Sequence, residues 1–147
     1  MRTESVGPIT YRRLMARFET ASEALTALPE LAKAGGRATT PRIPPRAEIE
    51  REAEALARLG GQFIFLGGAN YPPYLADLAD APPALAVLGD VGLLSARAIG
   101  VVGARNASAN GMRMAETLAA ELAERLVVAS GLARGIDASA HTGALRS

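Results

Sequence analysis

The sequence contains no cysteine and no tryptophan, and it has one histidine among its 147 residues. The absence of cysteine excludes disulfides, cysteine nucleophiles, iron–sulfur clusters and thiolate zinc sites. A single histidine excludes a multi-histidine metal centre, so we expect no metal site. Only three tyrosines and three phenylalanines are present, which leaves too few aromatic rings for an extended stacking surface. The core must therefore be built mainly from aliphatic side chains.

Long hydrophobic runs are also lacking. No uncharged apolar run reaches the roughly 18 residues of a membrane span, and Gly7-Pro8 interrupts the N-terminus where a signal peptide needs an apolar stretch. We therefore expect a cytoplasmic protein without a membrane partner. The net charge is only +1, but residues 96–147 carry six basic against four acidic side chains. This uneven charge is compatible with a local anion site there.

The first 45 residues predict a small all-helical domain followed by a proline-rich linker. Apolar side chains recur at helical spacing after Pro8, a second short helix begins near Ser22, and a third begins at Leu28. Residues 38–45 contain three prolines and no periodicity, which is typical of a linker. We place the domain boundary between residues 45 and 46.

Residues 46–147 predict an α/β domain. The pattern indicates helices over 48–59 and 111–125 and strands over 63–66, 84–88, 99–102 and 126–129. The last two strands are apolar throughout and are separated by a helix, which predicts a parallel βαβ unit. Another helix starts near Ile136, and we expect the chain to end inside it. The fold class is thus a Rossmann-like parallel sheet, incomplete at its C-terminal end as in the front part of a larger protein.

Two loops follow the predicted parallel strands at the edge where ligands of open α/β sheets bind. Residues 103–111 and 130–137 each contain glycine, small side chains and one arginine, and each leads into a helix N-terminus. Helix N-termini favour anions, so Arg105 and Arg134 would flank a phosphate site. Tight turns and helix caps need the same small residues without a ligand. Both interpretations stand at this point.

The usual nucleotide motifs are missing. The sequence has neither G-x-G-x-x-G nor G-x-x-x-x-G-K-[ST], so we expect no nicotinamide or ATP enzyme and no cofactor. Ser108 and Ser130 do not lie in G-x-S-x-G. Asp137 and His141 are spaced to face each other on one helix, either as a catalytic pair or as a helix-capping carboxylate beside a packed imidazole.

A family resemblance rests on both loops. The run from Ile99 to Gly111 resembles the first Rossmann motif of the DNA-processing protein DprA (Smf) family, and the run from Ser130 to Leu145 resembles its second motif. Residues 71–90 are similar to the segment before the family's core sheet. The start of the chain, with Val6-Gly7-Pro8, is similar to its N-terminal domain, which implies a SAM or helix-hairpin-helix-like fold.

The resemblance implies a function without a catalytic step. Family members bind single-stranded DNA in natural transformation and recombination, protect the incoming DNA, help to load the RecA recombinase and form homodimers. Arg105, in the family's G-x-R motif that begins here at Gly103, would lie in the DNA pocket. Ser108, Ser130 and Gly131 match positions that hold phosphate, and Arg134 lies in the second motif.

Two alternatives accompany this reading. One is a related Rossmann-like enzyme that acts on nucleoside phosphates, although its P-G-G-x-G-T motif is absent here. The other concerns Arg12, Arg13 and Arg17 in the helical domain, which would form either a contact to duplex DNA or a solvated basic face.

Overall fold

The computed structural model describes residues 2–36 and 39–146. Within them the chain forms six α-helices and four β-strands: α1 (Pro8–Arg17), α2 (Ala21–Ala34), α3 (Arg46–Arg58), β1 (Gly61–Phe65), α4 (Pro73–Ala76), β2 (Ala84–Leu88), β3 (Ala98–Gly100), α5 (Ala109–Ala123), β4 (Val127–Ala129) and α6 (Ile136–Ala144). A short 3-10 helix, Val91–Ser95, lies between β2 and β3. The elements form two compact units that divide between Leu94 and Ser95.

The N-terminal region is helical, as predicted, but its second and third helices are one. The side chain of Thr20 caps α2 by accepting a hydrogen bond of 3.2 Å from the amide of Glu23. The helix then runs through Pro29 without a break, so the predicted separate helix at Leu28 is wrong. Ala24 and Leu28 are both buried. Because this apolar face packs as a unit, it outweighs the one hydrogen bond that proline removes.

The proline-rich segment before α3 has fixed contacts. The amide of Glu4 donates to the carbonyl of Arg42 at 3.2 Å, and the guanidinium of Arg42 pairs with Glu48 at 2.6 Å. Pro41 is buried. The segment is thus tied to both the start of the chain and α3. The predicted domain boundary between residues 45 and 46 stays a prediction.

The first two strands form an antiparallel pair. β1 and β2 align Gly61 with Leu88 and Phe65 with Ala84, which confirms both as strands but places them in a two-stranded sheet of their own. Their connection contains only the four-residue α4, which is far shorter than the helix that usually forms a parallel crossover. The hydroxyl of Tyr71 donates to the carbonyl of Pro82 at 2.6 Å. This bond links the first part of the segment between β1 and β2 to its last part.

The second unit contains the predicted parallel βαβ arrangement. β3 and β4 run parallel, with Ala98 opposite Val127 and Gly100 opposite Ala129, and α5 connects them. α6 follows β4 and ends at Ala144, with Leu145 as its C-cap. The expectation that the chain ends inside this helix is therefore wrong.

α5 and α6 pack closely through small residues. Ala115, Ala119 and Ala140 are buried between 0% and 7% exposure. A Cβ on Gly143 would lie 3.0 Å from the Cα of Glu116 and would overlap its carbonyl. The helices are therefore held at a distance that only small side chains permit. In the described part of the chain, no helix has the length and apolar character needed to cross a membrane.

Candidate functional site

The two predicted loops meet at the carboxyl ends of β3 and β4. The amide of Val101 donates to the carbonyl of Ala129 at 2.9 Å, and the hydroxyl of Ser130 donates to the carbonyl of Val101 at 2.7 Å. These bonds extend the pairing of the strands beyond the sheet. Both loops therefore start from one edge, as the parallel arrangement predicts.

Two glycines let the loops cross each other. A Cβ on Gly103 would lie between 2.6 and 2.9 Å from three side-chain carbons of Ile136. Gly135 has a φ of +87°, and a Cβ there would overlap the carbonyl of Ala104 and lie 2.6 Å from that of Arg105. Ile136 of α6 can therefore pack against Gly103 because Gly103 has no Cβ. Sequence reasoning missed Ile136, since an apolar residue at the start of a helix gives no signal of a cross-loop contact.

The two loop arginines are free to bind a ligand. Arg105 and Arg134 are exposed, and neither forms an ion pair or a side-chain hydrogen bond with any described residue. Because Gly135 lies directly against the backbone at Arg105, the two arginines leave from adjoining backbone segments. The backbone thus places the two predicted cations on neighbouring turns of the same edge.

Backbone groups add to this positive site. The amides of Gly103, Ala104 and Arg105 donate no hydrogen bond to any residue that the structure describes. Unpaired amides and guanidinium groups attract the same oxyanions. Asp137 is the one acidic residue in the two loops, and it is 6% exposed. The exposed charge at this edge is therefore positive.

The predicted serines have structural partners. The Oγ of Ser108 accepts a hydrogen bond of 3.1 Å from the amide of Gly111 and caps α5. Its hydroxyl proton stays available to a ligand. The hydroxyl proton of Ser130 is used by Val101, which leaves Ser130 as an acceptor. Gly131 is exposed, and a Cβ there would lie 3.0 Å from Oδ2 of Asp137.

Asp137 stabilises its own loop. Its Oδ2 accepts a long hydrogen bond of 3.4 Å from the amide of Ala133. Among the described residues it forms no hydrogen bond with His141, whose buried Nε2 has no partner there. This geometry favours the structural interpretation over a catalytic pair. No cluster of metal-binding side chains occurs within the described residues.

Leu132 was missed by sequence reasoning. Its φ is 55°, in the left-handed region, and its side chain is 78% exposed. Leucine rarely adopts this conformation, so its sequence position gives no hint of it.

The arginines of the helical region do not form one basic face. The guanidinium of Arg12 donates to the carbonyls of Ala76 and Leu78 at 3.0 and 2.9 Å. Arg17 lies 5.6 Å above the ring centre of Phe18. Arg12 therefore has a structural role, which weakens the alternative of a duplex contact there.

A parallel βαβ unit with basic, glycine-containing loops at its carboxyl edge defines a Rossmann-like α/β protein. Comparison with known families identifies it further. The model of the DNA recombination-mediator protein A family matches residues 62–147, and that of the DprA-like N-terminal HHH domain matches residues 1–55. The chain belongs to the DNA recombination-mediator protein A family.

Individual relatives agree with this membership. The chain is 34% identical over 102 residues to the DNA processing protein DprA of Bacillus subtilis, with 68% of this chain and 34% of the relative covered. It is 38% identical over 103 residues to protein Smf of Escherichia coli, with 69% and 28% covered. The X-ray structure of DNA processing protein A from Streptococcus pneumoniae superposes with a TM-score of 0.61 at 32% identity, over 70% of this chain and 35% of that one. The chain thus spans about a third of the length of these relatives.

Proposed function

We propose that the edge formed by the two loops binds the phosphate backbone of single-stranded DNA. The protein would act in the cytoplasm, in DNA recombination and natural transformation, where it protects incoming strands. Binding rather than a chemical reaction would be its role. Gly103, Arg105, Ser108, Ser130, Gly131 and Arg134 would form the site.

The observation that supports this proposal is the pair of unpartnered arginines. Arg105 and Arg134 leave from adjoining backbone segments beside three free amides. A guanidinium binds two phosphate oxygens at once. Burying such groups against an anion releases counterions, which makes binding strongly dependent on salt.

Selectivity for single strands follows from the kind of contact. Backbone tracking and base contacts do not require duplex geometry. In a fluorescence-anisotropy titration, an oligo-dT strand should bind more tightly than the matching duplex. Equal affinity for both would contradict the proposal.

Substitution of Arg105 tests the site directly. Arg105→Ala should weaken binding to oligo-dT and lower the slope of log K against log salt by about 0.7, because one phosphate contact is lost. Its melting temperature should stay within about 1 °C of wild type, since an exposed, unpaired arginine contributes little to folding.

Arg97 provides the matched control. It is also exposed and unpaired in the same unit, but it precedes β3, at the opposite end of the strand from the loops. Arg97→Ala should therefore keep both the affinity and the salt slope. If the Arg105 and Arg97 variants behave alike, the loops are not the DNA site.

The absence of catalysis is tested with small substrates. Incubation with nucleoside monophosphates should release no free base and no phosphate. Turnover above the buffer control would favour the alternative, a nucleotide-processing enzyme.

RecA and, in the full-length protein, a second copy complete the proposal as partners. The full-length protein should shorten the lag before RecA hydrolyses ATP on single-stranded DNA, which reports faster RecA nucleation. Sedimentation velocity of the full-length protein should detect the homodimer. An unchanged lag would contradict RecA as a partner. A monomer at every concentration would contradict the homodimer.

A further inference from the structure

Asn110 and Gly111 are adjacent in the first turn of α5. The side-chain amide of Asn110 is therefore followed by the backbone nitrogen of a residue that has no Cβ to shield it. An asparagine in this position can lose ammonia through attack by the next backbone nitrogen, and glycine is the residue that hinders the attack least. The side chain of Asn110 is exposed, so water reaches it. The other two asparagines of the chain precede residues that have a Cβ.

The guanidinium of Arg113 makes the side-chain carbon of Asn110 more reactive. It donates a hydrogen bond to Oδ1 of Asn110. A cation at a carbonyl oxygen withdraws electrons from the carbon and stabilises the negative charge that forms on the oxygen during attack. The pair therefore favours the reaction that the sequence Asn110-Gly111 allows.

The N-terminal cap of α5 opposes the same reaction. The backbone amide of Gly111 donates to Oγ of Ser108 at 3.1 Å, and the amide of Met112 donates to the carbonyl of Ser108 at 3.0 Å. To attack, the nitrogen of Gly111 must lose its proton and rotate toward the side-chain carbon. Both bonds hold it in its helical position instead. The reaction therefore requires the first turn of α5 to open.

We propose that Asn110 is a deamidation site whose rate is set by the Ser108 cap. When the first turn opens, the deprotonated nitrogen of Gly111 forms a bond to Cγ of Asn110. The bond from Cγ to the side-chain nitrogen breaks, and that nitrogen takes up a proton and leaves as ammonia. Water then opens the five-membered imide and leaves an aspartate or an isoaspartate at position 110. The net reaction consumes water and releases ammonia, without oxidation or reduction.

The product changes the charge of the loop that contains it. Asn110 and Arg105 lie in the same loop, residues 103–111, and a carboxylate at position 110 adds a negative charge to an edge whose exposed charge is positive. Single-stranded DNA should therefore bind the modified protein more weakly. This consequence rests on the proposed function, whereas the deamidation itself does not.

Peptide mass spectrometry after incubation at mildly alkaline pH measures the reaction. Ser108→Ala should convert Asn110 about fivefold faster than wild type, which is the loss of a cap of about 1 kcal/mol expressed as the ratio of open to closed first turns. Ser108→Thr keeps a capping hydroxyl and should react at nearly the wild-type rate. Asn106 is exposed in the same loop but precedes Ala107, so its slower reaction should not depend on residue 108.

Gly111→Ala tests whether glycine is required. A Cβ there would lie 3.4 Å from Oγ of Ser108 and 3.7 Å from Cδ1 of Ile136. Both are ordinary contacts, so the variant should fold. Wild type unfolded in urea should deamidate at Asn110 faster than folded wild type, because the cap is lost. Gly111→Ala should stay slow in both states.

Asn110→Asp measures the effect of the product charge on DNA binding. It should weaken binding to oligo-dT about threefold, the scale of one interaction between exposed charges. Thr117→Asp is the matched control, because Thr117 is also exposed on α5 and lies two turns further along the helix, about 10 Å from position 110. Salt screens exposed charges over such a distance, so this variant should keep the wild-type affinity.

The possible failures can be told apart. Equal rates for wild type and Ser108→Ala would show that the cap does not control the reaction, and an Asn110 that stays intact in urea would show that it is no deamidation site. If the rates differ as expected but Asn110→Asp binds oligo-dT like wild type, the modification site stands and the proposed DNA site at this loop fails.

Discussion

Gly135 occupies a backbone conformation that a residue with a Cβ would adopt only with strain. Its φ of +87° and ψ of −128° lead into α6, and the carbonyls of Ala104 and Arg105 fill the space beside it. We expect Gly135→Ala to lower the free energy of unfolding by about 2 kcal/mol, because strain and overlap add. Urea unfolding measures this difference.

Gly100 is the control for that substitution. A Cβ there would meet no atom within 4 Å, so Gly100→Ala should change stability by no more than about 0.5 kcal/mol. If both variants are equally stable, the loops do not cross at Gly135 as described.

Tyr71 gives the protein a predictable response to alkaline pH. Burial raises the pKa of its hydroxyl, and the positive charge of Arg12 opposes this only in part. The folded state therefore holds the phenolic proton more tightly than the unfolded state does. Its contribution to stability is complete below the unfolded pKa of about 10 and is lost as pH rises through the folded pKa.

Tyr71→Phe should remove this alkaline loss of stability. It should also lower stability at neutral pH by about 1 kcal/mol, since the carbonyl of Pro82 loses its hydrogen bond. Tyr74 is 87% exposed, so Tyr74→Phe should keep both the alkaline loss of stability and the stability at neutral pH. Urea unfolding between pH 8 and 11 compares the three proteins, and a Tyr71 variant that still loses stability as wild type does would contradict the assignment.

At the residue scale, the sequence predicts the charges of the site better than its shape. Glycine and arginine after apolar strands indicate both loops, and the backbone of Arg105 lies against Gly135, next to Arg134 in sequence; the binding role of the two arginines stays a prediction. The left-handed backbone of Leu132 and the contact of Ile136 with Gly103 were not predictable. Both arise when one loop closes over the other, and neither residue type carries that information.

At the scale of elements, Ser108 has two separable roles. Its Oγ caps α5 through the amide of Gly111, and its hydroxyl is part of the proposed phosphate site. Ser108→Ala should lower the free energy of unfolding by about 1 kcal/mol, whereas Ser108→Asn should retain the cap and the stability. Thermal unfolding followed by circular dichroism measures both variants.

DNA binding distinguishes the two roles of Ser108. Ser108→Asn should bind single strands more weakly than wild type at equal stability, because the hydroxyl donor is replaced. An asparagine variant with full affinity would leave the serine as a helix cap alone.

Element types are easier to predict from the sequence than element partners. The apolar runs that became β1, β2, β3 and β4 were all identified as strands. For β3 and β4 the intervening helix also predicts their parallel pairing. For β1 and β2 no such helix exists, and pairing depends on the loop that Tyr71 closes. Likewise, Pro29 suggests a helix end that tertiary packing overrides.

At the scale of the whole molecule, the two compact units should unfold at different denaturant concentrations. The core before Ser95 includes Leu28, Ile64 and Tyr71, whereas the buried apolar residues after it are all alanines. Less apolar area per residue gives less stability. We expect α5 and α6 to unfold first, as an early loss of helical circular dichroism.

Tyrosine fluorescence reports on the other unit, because all three tyrosines precede Leu94. Its transition should follow at higher urea. Single-stranded DNA at 100 times its Kd should stabilise the unit that contains α5 and α6 by about 2.7 kcal/mol. The transition that tyrosine fluorescence reports should stay at the same urea concentration. Coincident transitions for both signals would show that the chain unfolds as one cooperative body.

The close contact of Gly143 with the backbone of Glu116 has a consequence for genetics. Gly143 lies seven residues beyond the first residue of α6, about 10 Å along the helix axis. Any side chain there would push α6 away from α5 and so change the spacing of the loops that precede the two helices. In a screen for variants that lose the proposed binding of single-stranded DNA, substitutions at position 143 would therefore group with those at Arg105, although Gly143 lies on the helix pair and not in the loops.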